Sequence, residues 1–476
     1  MLPKRIFRSS FGRRRRAAAL FHSAVLGVLL LFFLPTASRA QPALLTVNQV
    51  VVRALEKYPA IGVSQAQVTS AAAGIRFART SYLPRIDALA QVNRATRNNV
   101  AGLLFPQGLP TISGPASDQY SAAQIWGSAV GLMVGWEPFD FGLRSANIAV
   151  AEAARTRADA AVARTRLEVA TLAADSFLTL LAAEQTVKAA EAGVERSDVF
   201  LRVVESLVQA EIRPGVELSR ARAENSAAKT LLIQSRQAVA VARALLARLL
   251  GLEPSDVRIA AGRLLELPPA AETAPNLVTE NPAVLEQDTA IQEAKARLKS
   301  LERGYYPRFS LLGSMYARGT GAHTTGTASE GPDGLKPDIA NWAVGFSASF
   351  PLMDFASLRA RQASEAARVE GETSRYQQIV EDLKGRLNAS LAAADAAQEV
   401  AANTPVQLEA AQATHRQSVA RYGAGLSTVV EVSDAQRLLI QTEIDDALAK
   451  LGVWRALLSM ASAQGDLQPF LQRASR

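Results

Sequence analysis

The sequence contains no cysteine and only three histidines among its 476 residues. The absence of cysteine excludes disulfide bonds, thiolate-held zinc and iron–sulfur clusters, and a lipid-modified N-terminal cysteine. The histidines, His22, His323 and His415, are too widely separated to suggest a metal site, so we expect neither metal nor cofactor. Aromatic residues are also scarce, at 6%. Together with abundant alanine, this favours long, closely packed helices over a thick globular core.

The first forty residues have the order of a secretory signal peptide. Basic residues within 4–16 are followed by an apolar stretch at 17–34 and by Ser38-Arg39-Ala40, a small-x-small cleavage pattern. We therefore predict that residues 1–40 are removed after Ala40. A retained membrane anchor is the alternative, because about eighteen apolar residues can just cross a bilayer.

Cleavage would change the charge balance of the protein. The full chain has 52 Lys and Arg against 44 Asp and Glu, but eight of the basic residues and none of the acidic ones lie within residues 1–40. The mature chain is then balanced, with 44 of each sign. The basic pI of about 9.8 thus reflects the export segment and does not indicate a nucleic-acid-binding surface.

The remainder of the chain is duplicated. The landmarks that recur in the same order are Pro59 and Pro282, Pro84 and Pro307, Asp140 and Asp354, and Glu217 and Glu431. The first two pairs are separated by 223 residues and the last two by 214, so one loop between Pro84 and Asp140 is longer in the first half. We predict two repeats, at residues 41–260 and 261–476.

Each repeat contains two segments with period-two alternation. In the best of them, Trp342, Val344 and Phe346 alternate with small residues, as a lipid-facing barrel strand requires. We predict strands at about 85–97, 122–138, 307–318 and 340–352, with a soluble, half-buried hairpin as the alternative. The intervening loops, 98–119 and 320–339, are long and rich in Gly, Pro and Ser, and are expected to face the cell exterior.

The rest of each repeat has helical periodicity. Long helices at 143–210 and 357–421 would each extend about 100 Å at 1.5 Å per residue. With their return helices they predict hairpins at about 143–250 and 355–463. Three-four spacing predicts coiled-coil-like packing in both return helices. The stripes that show it are Val239, Ala242, Leu246 and Leu249 in the first, and Ile444, Leu448, Leu451, Arg455 and Leu458 in the second. Residues 254–275 are rich in Pro and Ala and predict a linker-like side element.

Four strands are too few to close a barrel. A membrane leaves no partner for the open edges of a sheet, and single-chain barrels need at least about eight strands. If these strands lie in lipid, several copies of the chain must join to close the barrel. Dimers, trimers and larger rings all satisfy this requirement.

The duplication and its landmarks resemble the TolC-like outer-membrane efflux family, the outer membrane factors. The resemblance rests on residues 421–436, on the strand-to-helix turns at 136–142 and 350–355, and on the turns at Pro84 and Pro307. It implies a mostly α-helical homotrimer with a 12-stranded membrane β-barrel and a helical tunnel in the periplasm. It also implies a non-enzymatic exit duct in the outer membrane of a Gram-negative bacterium, working with a periplasmic adaptor and an inner-membrane pump. The cargo would be small molecules such as drugs, or polypeptide.

The resemblance also points to a periplasmic entrance formed by the hairpin tips. Glu217 and Tyr422 match positions that hold the closed tip of family members together, but Ser427 stands where those proteins have a partner arginine. Residues expected to contact the adaptor are Glu211, Pro214, Gly215, Gly425, Leu426 and Ser427. The first tip departs from the second because Glu211 aligns with Gly425.

Two acidic residues at the second tip suggest an ion-selective entrance. Glu431 and Asp434 are three residues apart, so they share one face of a helix. In a ring of protomers they would place several carboxylates around one opening and favour cations, and their positions match the acidic constriction of the family. The alternative is an ordinary acidic first turn that opposes the helix dipole.

Two other protein classes compete with an efflux duct. A periplasmic adaptor would have a single α-hairpin between β-domains and an N-terminal anchor, whereas this chain has two hairpins. A structural coiled-coil envelope protein would not have alternating strands at equivalent positions of a repeat. No nucleophile–base pair or Gly-rich phosphate loop stands out, so we do not expect an enzyme and predict no catalytic residues.

Overall fold

The computed structural model describes residues 44–96, 124–269, 278–321, 329 and 331–475. The predicted signal peptide, the loop at 98–119 and part of the loop at 320–339 lie outside the described residues. In chain order the described part forms α1 (Val47–Lys57), α2 (Pro59–Thr80), β1 (Arg85–Thr96), β2 (Gln124–Phe139), α3 (Leu143–Gln209), α4 (Gly215–Leu250), α5 (Pro282–Arg303), β3 (Arg308–Thr320), β4 (Ile339–Ser349), α6 (Phe355–Gly423), α7 (Val429–Gln464) and α8 (Gln468–Ser475).

The four strands form one antiparallel sheet in the order β1-β2-β3-β4. They lie close to the predicted segments, but β4 ends at Ser349, three residues before the predicted end. The reason is Pro351, which has no N–H group to donate to a neighbouring strand. Among the described residues each edge strand has one partner, so the sheet of a single chain is open at β1 and at β4.

Strand register gives the sheet two different faces, because residues directly opposite each other point to the same side. One face is apolar and comprises Ile86, Ala88, Ala90, Val92, Val130, Leu132, Val134, Trp136, Leu311, Met315, Trp342, Val344 and Phe346. Much of it is uncovered in the single chain; Trp342, for example, is 78% exposed. The other face is mostly small or polar and includes Asp87, Gln91, Asn93, Gly127, Gly131, Ser310, Ser314, Asn341 and Ser347. This is the division that a strand between lipid and an aqueous lumen requires.

Two long helices extend away from the sheet. α3 has 67 residues and α6 has 69, which corresponds to about 100 Å each. Each packs against its return helix, α3 against α4 and α6 against α7, and α3 also packs against α7. Within the described ranges, no helix carries an apolar stretch long enough to span a bilayer.

The predicted apolar stripe is correct in α4 and partly wrong in α7. Val239 and Leu246 of α4 are buried, as are the other two members of that stripe. In α7, Leu448 and Arg455 are exposed, whereas Trp454 is buried. Arg455 instead hydrogen-bonds to α3, through Asp175 at 3.0 Å and Thr179 at 2.9 Å. A position that the spacing assigned to the core is thus used for a polar contact between the hairpins.

A proline lies inside α6 without ending it. Pro405 removes one backbone donor, yet the helix continues to Gly423, as the prediction of a long helix over 357–421 requires. The neighbouring Thr404 is buried and donates a hydrogen bond of 3.0 Å to Asp446 of α7, which also pairs with Lys450 at 2.8 Å. A contact with α7 directly beside Pro405 therefore holds α6 at a residue that would otherwise favour a break.

The predicted linker is packed rather than loose over its described part, residues 254–269. Leu45 forms a parallel bridge with Ile259, and Val257 and Leu264 are buried in the main core. The indole of Trp454 donates a 3.0 Å hydrogen bond to the carbonyl of Glu266. This segment forms a small side element with α1 and α8 against the middle of the long helices.

The junction between β2 and α3 contains a buried ion pair. Asp140 accepts hydrogen bonds from the Gly142 amide (3.1 Å) and from both the amide (2.7 Å) and the guanidinium (2.9 Å) of Arg144. Arg144 also donates to the carbonyl of Ser81 at 3.1 Å and lies over the ring of Tyr82. At the equivalent junction of the second repeat, Asp354 is exposed and Leu358 takes the place of Arg144.

We predict that Arg144→Met destabilises the protein by about 3 to 5 kcal/mol, because it leaves the Asp140 carboxylate buried without its cation. The matched control is Leu358→Met, beside the exposed Asp354. The measurement is the urea midpoint of the far-UV circular dichroism signal of the purified protein in detergent. Equal midpoints for the two variants would show that the pair does not hold this junction.

Candidate functional site at the helical tip

The two hairpin turns lie side by side at the end of the long helices that is remote from the sheet. The first turn joins α3 to α4 and the second joins α6 to α7. Hydrogen bonds of the same pattern close both turns, from Ile212 N to the Leu207 carbonyl (3.0 Å) and from Leu426 N to the Arg421 carbonyl (2.9 Å). Donors and acceptors are each 214 residues apart, so the repeat extends to the hydrogen bonds of the turns.

The difference between Glu211 and Gly425 does not change the turn. Both residues adopt the left-handed conformation, with φ of 56° and 78°. Glycine adopts it without a steric penalty, whereas a residue with a Cβ is strained by about 1 to 2 kcal/mol. Glu211 is thus a strained residue in the glycine position of the first turn.

Arg213 of the first turn reaches across to the second. Its guanidinium donates to the carbonyl oxygens of Tyr422 (3.2 Å) and Ser427 (3.4 Å) and lies 4.8 Å from the centre of the Tyr422 ring. It is also 3.6 Å from the Glu217 carboxylate, and both side chains are largely buried. One arginine therefore connects both hairpin turns through hydrogen bonds, an ion pair and a cation–π contact.

Tyr422 is the second link between the hairpins. It is 2% exposed, and its hydroxyl donates a 2.8 Å hydrogen bond to Glu217. Its ring packs edge-on against Phe200, in a small apolar cluster that includes Val204 and Val432. Burial raises the pKa of Tyr422, and the bond to Glu217 raises it further, so the phenol stays protonated as a donor.

Sequence reasoning identified Glu217 and Tyr422 but missed Arg213. Ser427 does stand where an arginine was expected, yet the residue 214 positions earlier is Arg213, and its guanidinium binds the Ser427 carbonyl. The signal was therefore present in the duplication, because the arginine occupies the equivalent position of the other turn.

The acidic pair lies at the start of α7, as the sequence predicts, and the side chain of Arg437 lies beside it. Glu431 and Asp434 are both exposed in the first turns of α7, and Thr428 caps the helix by accepting from the Glu431 amide. Arg437, one turn further on, pairs with Asp434 and lies 3.8 Å from Glu224 of α4. Within the part of the chain that the structure describes, Asp434 is thus ion-paired and Glu431 is not.

The outer surface of the tip is apolar in both repeats. Ile212 and Val216 are 66% and 72% exposed, and Leu426 at the position equivalent to Ile212 is 68% exposed. Of the predicted contact residues, Glu211, Pro214, Gly215 and Gly425 are exposed as well. Ser427 is not, because it is 5% exposed and its hydroxyl donates to the Ser418 carbonyl at 3.3 Å. Sequence reasoning overlooked Ile212 and Val216, which lie on either side of Pro214.

The sequences of both repeats match a known protein family. The family model described as outer membrane efflux protein matches residues 50–252 and again residues 274–466. The chain belongs to the outer membrane efflux protein family. Two matches in one chain confirm the internal duplication. Channels of this family are trimers in the outer membrane of Gram-negative bacteria and are not enzymes. This chain is accordingly an outer-membrane exit duct of a tripartite efflux system.

Solved channel structures share the fold at low sequence identity. CmeC of Campylobacter jejuni is 14% identical with a TM-score of 0.71, over 90% of this chain and 89% of that one. VceC of Vibrio cholerae is 15% identical with a TM-score of 0.69, over 88% and 96%. MtrE of Neisseria gonorrhoeae is 17% identical with a TM-score of 0.66, over 90% and 90%. None of the curated proteins matches the sequence.

Proposed function

We propose that three copies of this chain carry small molecules from a periplasmic adaptor and an inner-membrane pump to the cell exterior. The duct is closed at the helical tip by contacts of Arg213, Tyr422 and Glu217 and opens when the adaptor engages the tip. The observation that carries this proposal is the position of Arg213, which joins the two hairpin turns.

The tip contacts suit a latch that can be released. They consist of a few directional bonds between hairpins at one end of helices about 100 Å long. The apolar cluster behind them is small, whereas the main core lies further up the helices, around residues such as Phe177 and Trp454. Parting the tips therefore costs a few polar contacts and little apolar burial.

The adaptor would recognise the apolar end of each hairpin. Ile212 and Val216 in the first repeat, and Leu426 and Val430 at the equivalent positions of the second, are all exposed apolar residues. A trimer would present six such pairs on one circular surface. The fitting partner is a ring of short helical or turn segments that carry apolar side chains, with polar groups at the rim.

The entrance would also select by charge. Three copies of Glu431 and Asp434 around one opening would lower the free energy of cations in the pore and raise that of anions. Arg437 reduces the contribution of Asp434, so Glu431 is expected to account for most of the effect.

Release of the latch is testable with Arg213→Gln. The variant loses the ion pair and the charged hydrogen bonds, which are worth about 1.5 kcal/mol or more, so the closed-to-open ratio should fall by about tenfold or more. The measurement is open probability in planar bilayers. Arg222→Gln is the control, because Arg222 pairs with the half-exposed Glu205 between α3 and α4, within the first hairpin. Equal open probabilities for the two variants would contradict a latch at Arg213.

Charge selection is testable with the double variant Glu431→Ala, Asp434→Ala. We expect the reversal potential across a salt gradient to move towards the value of a non-selective pore, because the carboxylates at the constriction are lost. The control exchanges the two acids, Glu431→Asp with Asp434→Glu, and keeps the charge. If the alanine variant retains the wild-type reversal potential, both residues are ordinary residues of a helix start.

A further inference from the structure

A cleft of about 410 Å³ lies between α3 and α6, directly behind the latch. Its walls are mainly apolar, with Val199 and Val203 on α3 and Val419 on α6, and Gln436 of α7 also lines it. Tyr422 borders the cleft as well. The cleft therefore lies between the two hairpins and changes whenever they separate.

His415 of α6 lines this cleft with a buried nitrogen. Its Nε2 atom is buried without a hydrogen-bond partner in the described part of the chain. A neutral imidazole tolerates such a position, but an imidazolium would have to bury an unpaired N–H donor and a positive charge.

The charges around His415 also oppose its protonation. Arg196 and Glu195 of α3 line the same cleft, Arg416 follows His415 on α6, and Glu443 lies on α7. The two terminal guanidinium nitrogens of Arg196, Nη1 and Nη2, donate to the Glu443 carboxylate at 3.1 and 2.7 Å. The carboxylate that could stabilise a charged imidazole is thus already paired, in a bridge between the first hairpin and the second.

Burial accordingly lowers the pKa of His415, Arg196 and Arg416 lower it further, and Glu443 opposes them in part. A histidine in water titrates near 6.5. A state in which water reaches the imidazole therefore binds a proton more tightly than the packed state does. As pH falls below about 6.5, the ratio of the hydrated state to the packed state therefore rises. The rise is up to about tenfold for each pH unit, until the lowered pKa is reached.

We propose that His415 is a proton sensor of the tip, which makes separation of the two hairpins easier in a mildly acidic periplasm. This inference rests on the proposed function, in which those hairpins close the duct. Among the described residues that line the cleft, His415 is the histidine, the side-chain type whose ordinary pKa lies in the mildly acidic range.

The test is open probability of the purified full-length protein in planar bilayers between pH 7 and pH 5. We expect a rise of up to about tenfold per pH unit in the wild type, and a flat profile in His415→Gln. His415→Phe, which keeps a ring of similar size in the cleft, should be equally flat. His323→Gln removes the other histidine of the mature chain and should respond to acid as the wild type does. An acid response that persists in His415→Gln and His415→Phe overturns the sensor.

Failure of the sensor can be told apart from failure of the latch. Arg213→Gln tests closure at pH 7, independently of any titration. If it opens the channel while the His415 variants keep the wild-type pH profile, only the sensor is wrong. If it leaves the channel unchanged, Arg213 does not latch the tip, and the closure on which the inference rests falls together with the sensor.

Discussion

The hydrogen-bonding groups at the two edges of the sheet constrain everything else in this molecule. β1 and β4 each have one partner within the described chain, and one face of the sheet is apolar from Ile86 to Phe346. In water the apolar faces of different copies would associate. In lipid the open edges would lack hydrogen-bond partners for their N–H and C=O groups. Both requirements are met when copies of the chain join edge to edge around a lumen. Because the long helices are continuous with the strands, they are arranged in a ring as well, and the two hairpins of each chain together form a tunnel.

Duplication built the protomer, and the differences between its repeats supply the features specific to the tip. The turns share their hydrogen bonds and left-handed residues, yet Arg213 is an arginine only in the first turn and Tyr422 a tyrosine only in the second. Because the two are not equivalent, they can bind each other across the tip. The same principle applies at the strand-to-helix junction, where Asp140 pairs with Arg144, whereas Asp354 has Leu358 at the position of that arginine. Equivalent positions with different residues thus give one buried ion pair at the strand-to-helix junction and one set of contacts between the hairpins at the tip.

The features of the fold and of the tip that could be predicted from the sequence are those set by residues close together in the chain. The strands were predictable because alternation assigns each side chain to a face, and register then preserves that assignment across four strands. The turns were predictable from Pro214, Gly215 and Gly425. Burial of Ser427 was not, because it depends on how one turn docks against another more than 200 residues away. The duplication shows that Arg213 is equivalent to Ser427, but the contacts of its guanidinium depend on the same docking. Arg455 was predicted to lie in an apolar stripe but makes polar contacts with α3. Spacing along a helix does not show which of its faces a second hairpin covers.

The sheet of one chain is incomplete and is closed by other copies. Native mass spectrometry of the detergent-purified protein, combined with amide hydrogen exchange at the strands, tests this closure directly. We expect a trimer in which the amides of β1 and β4 exchange as slowly as those of β2 and β3, because the outer edges of β1 and β4 are paired with neighbouring copies. A stable monomer with all four strands protected would contradict it, since the edges would then need no partner.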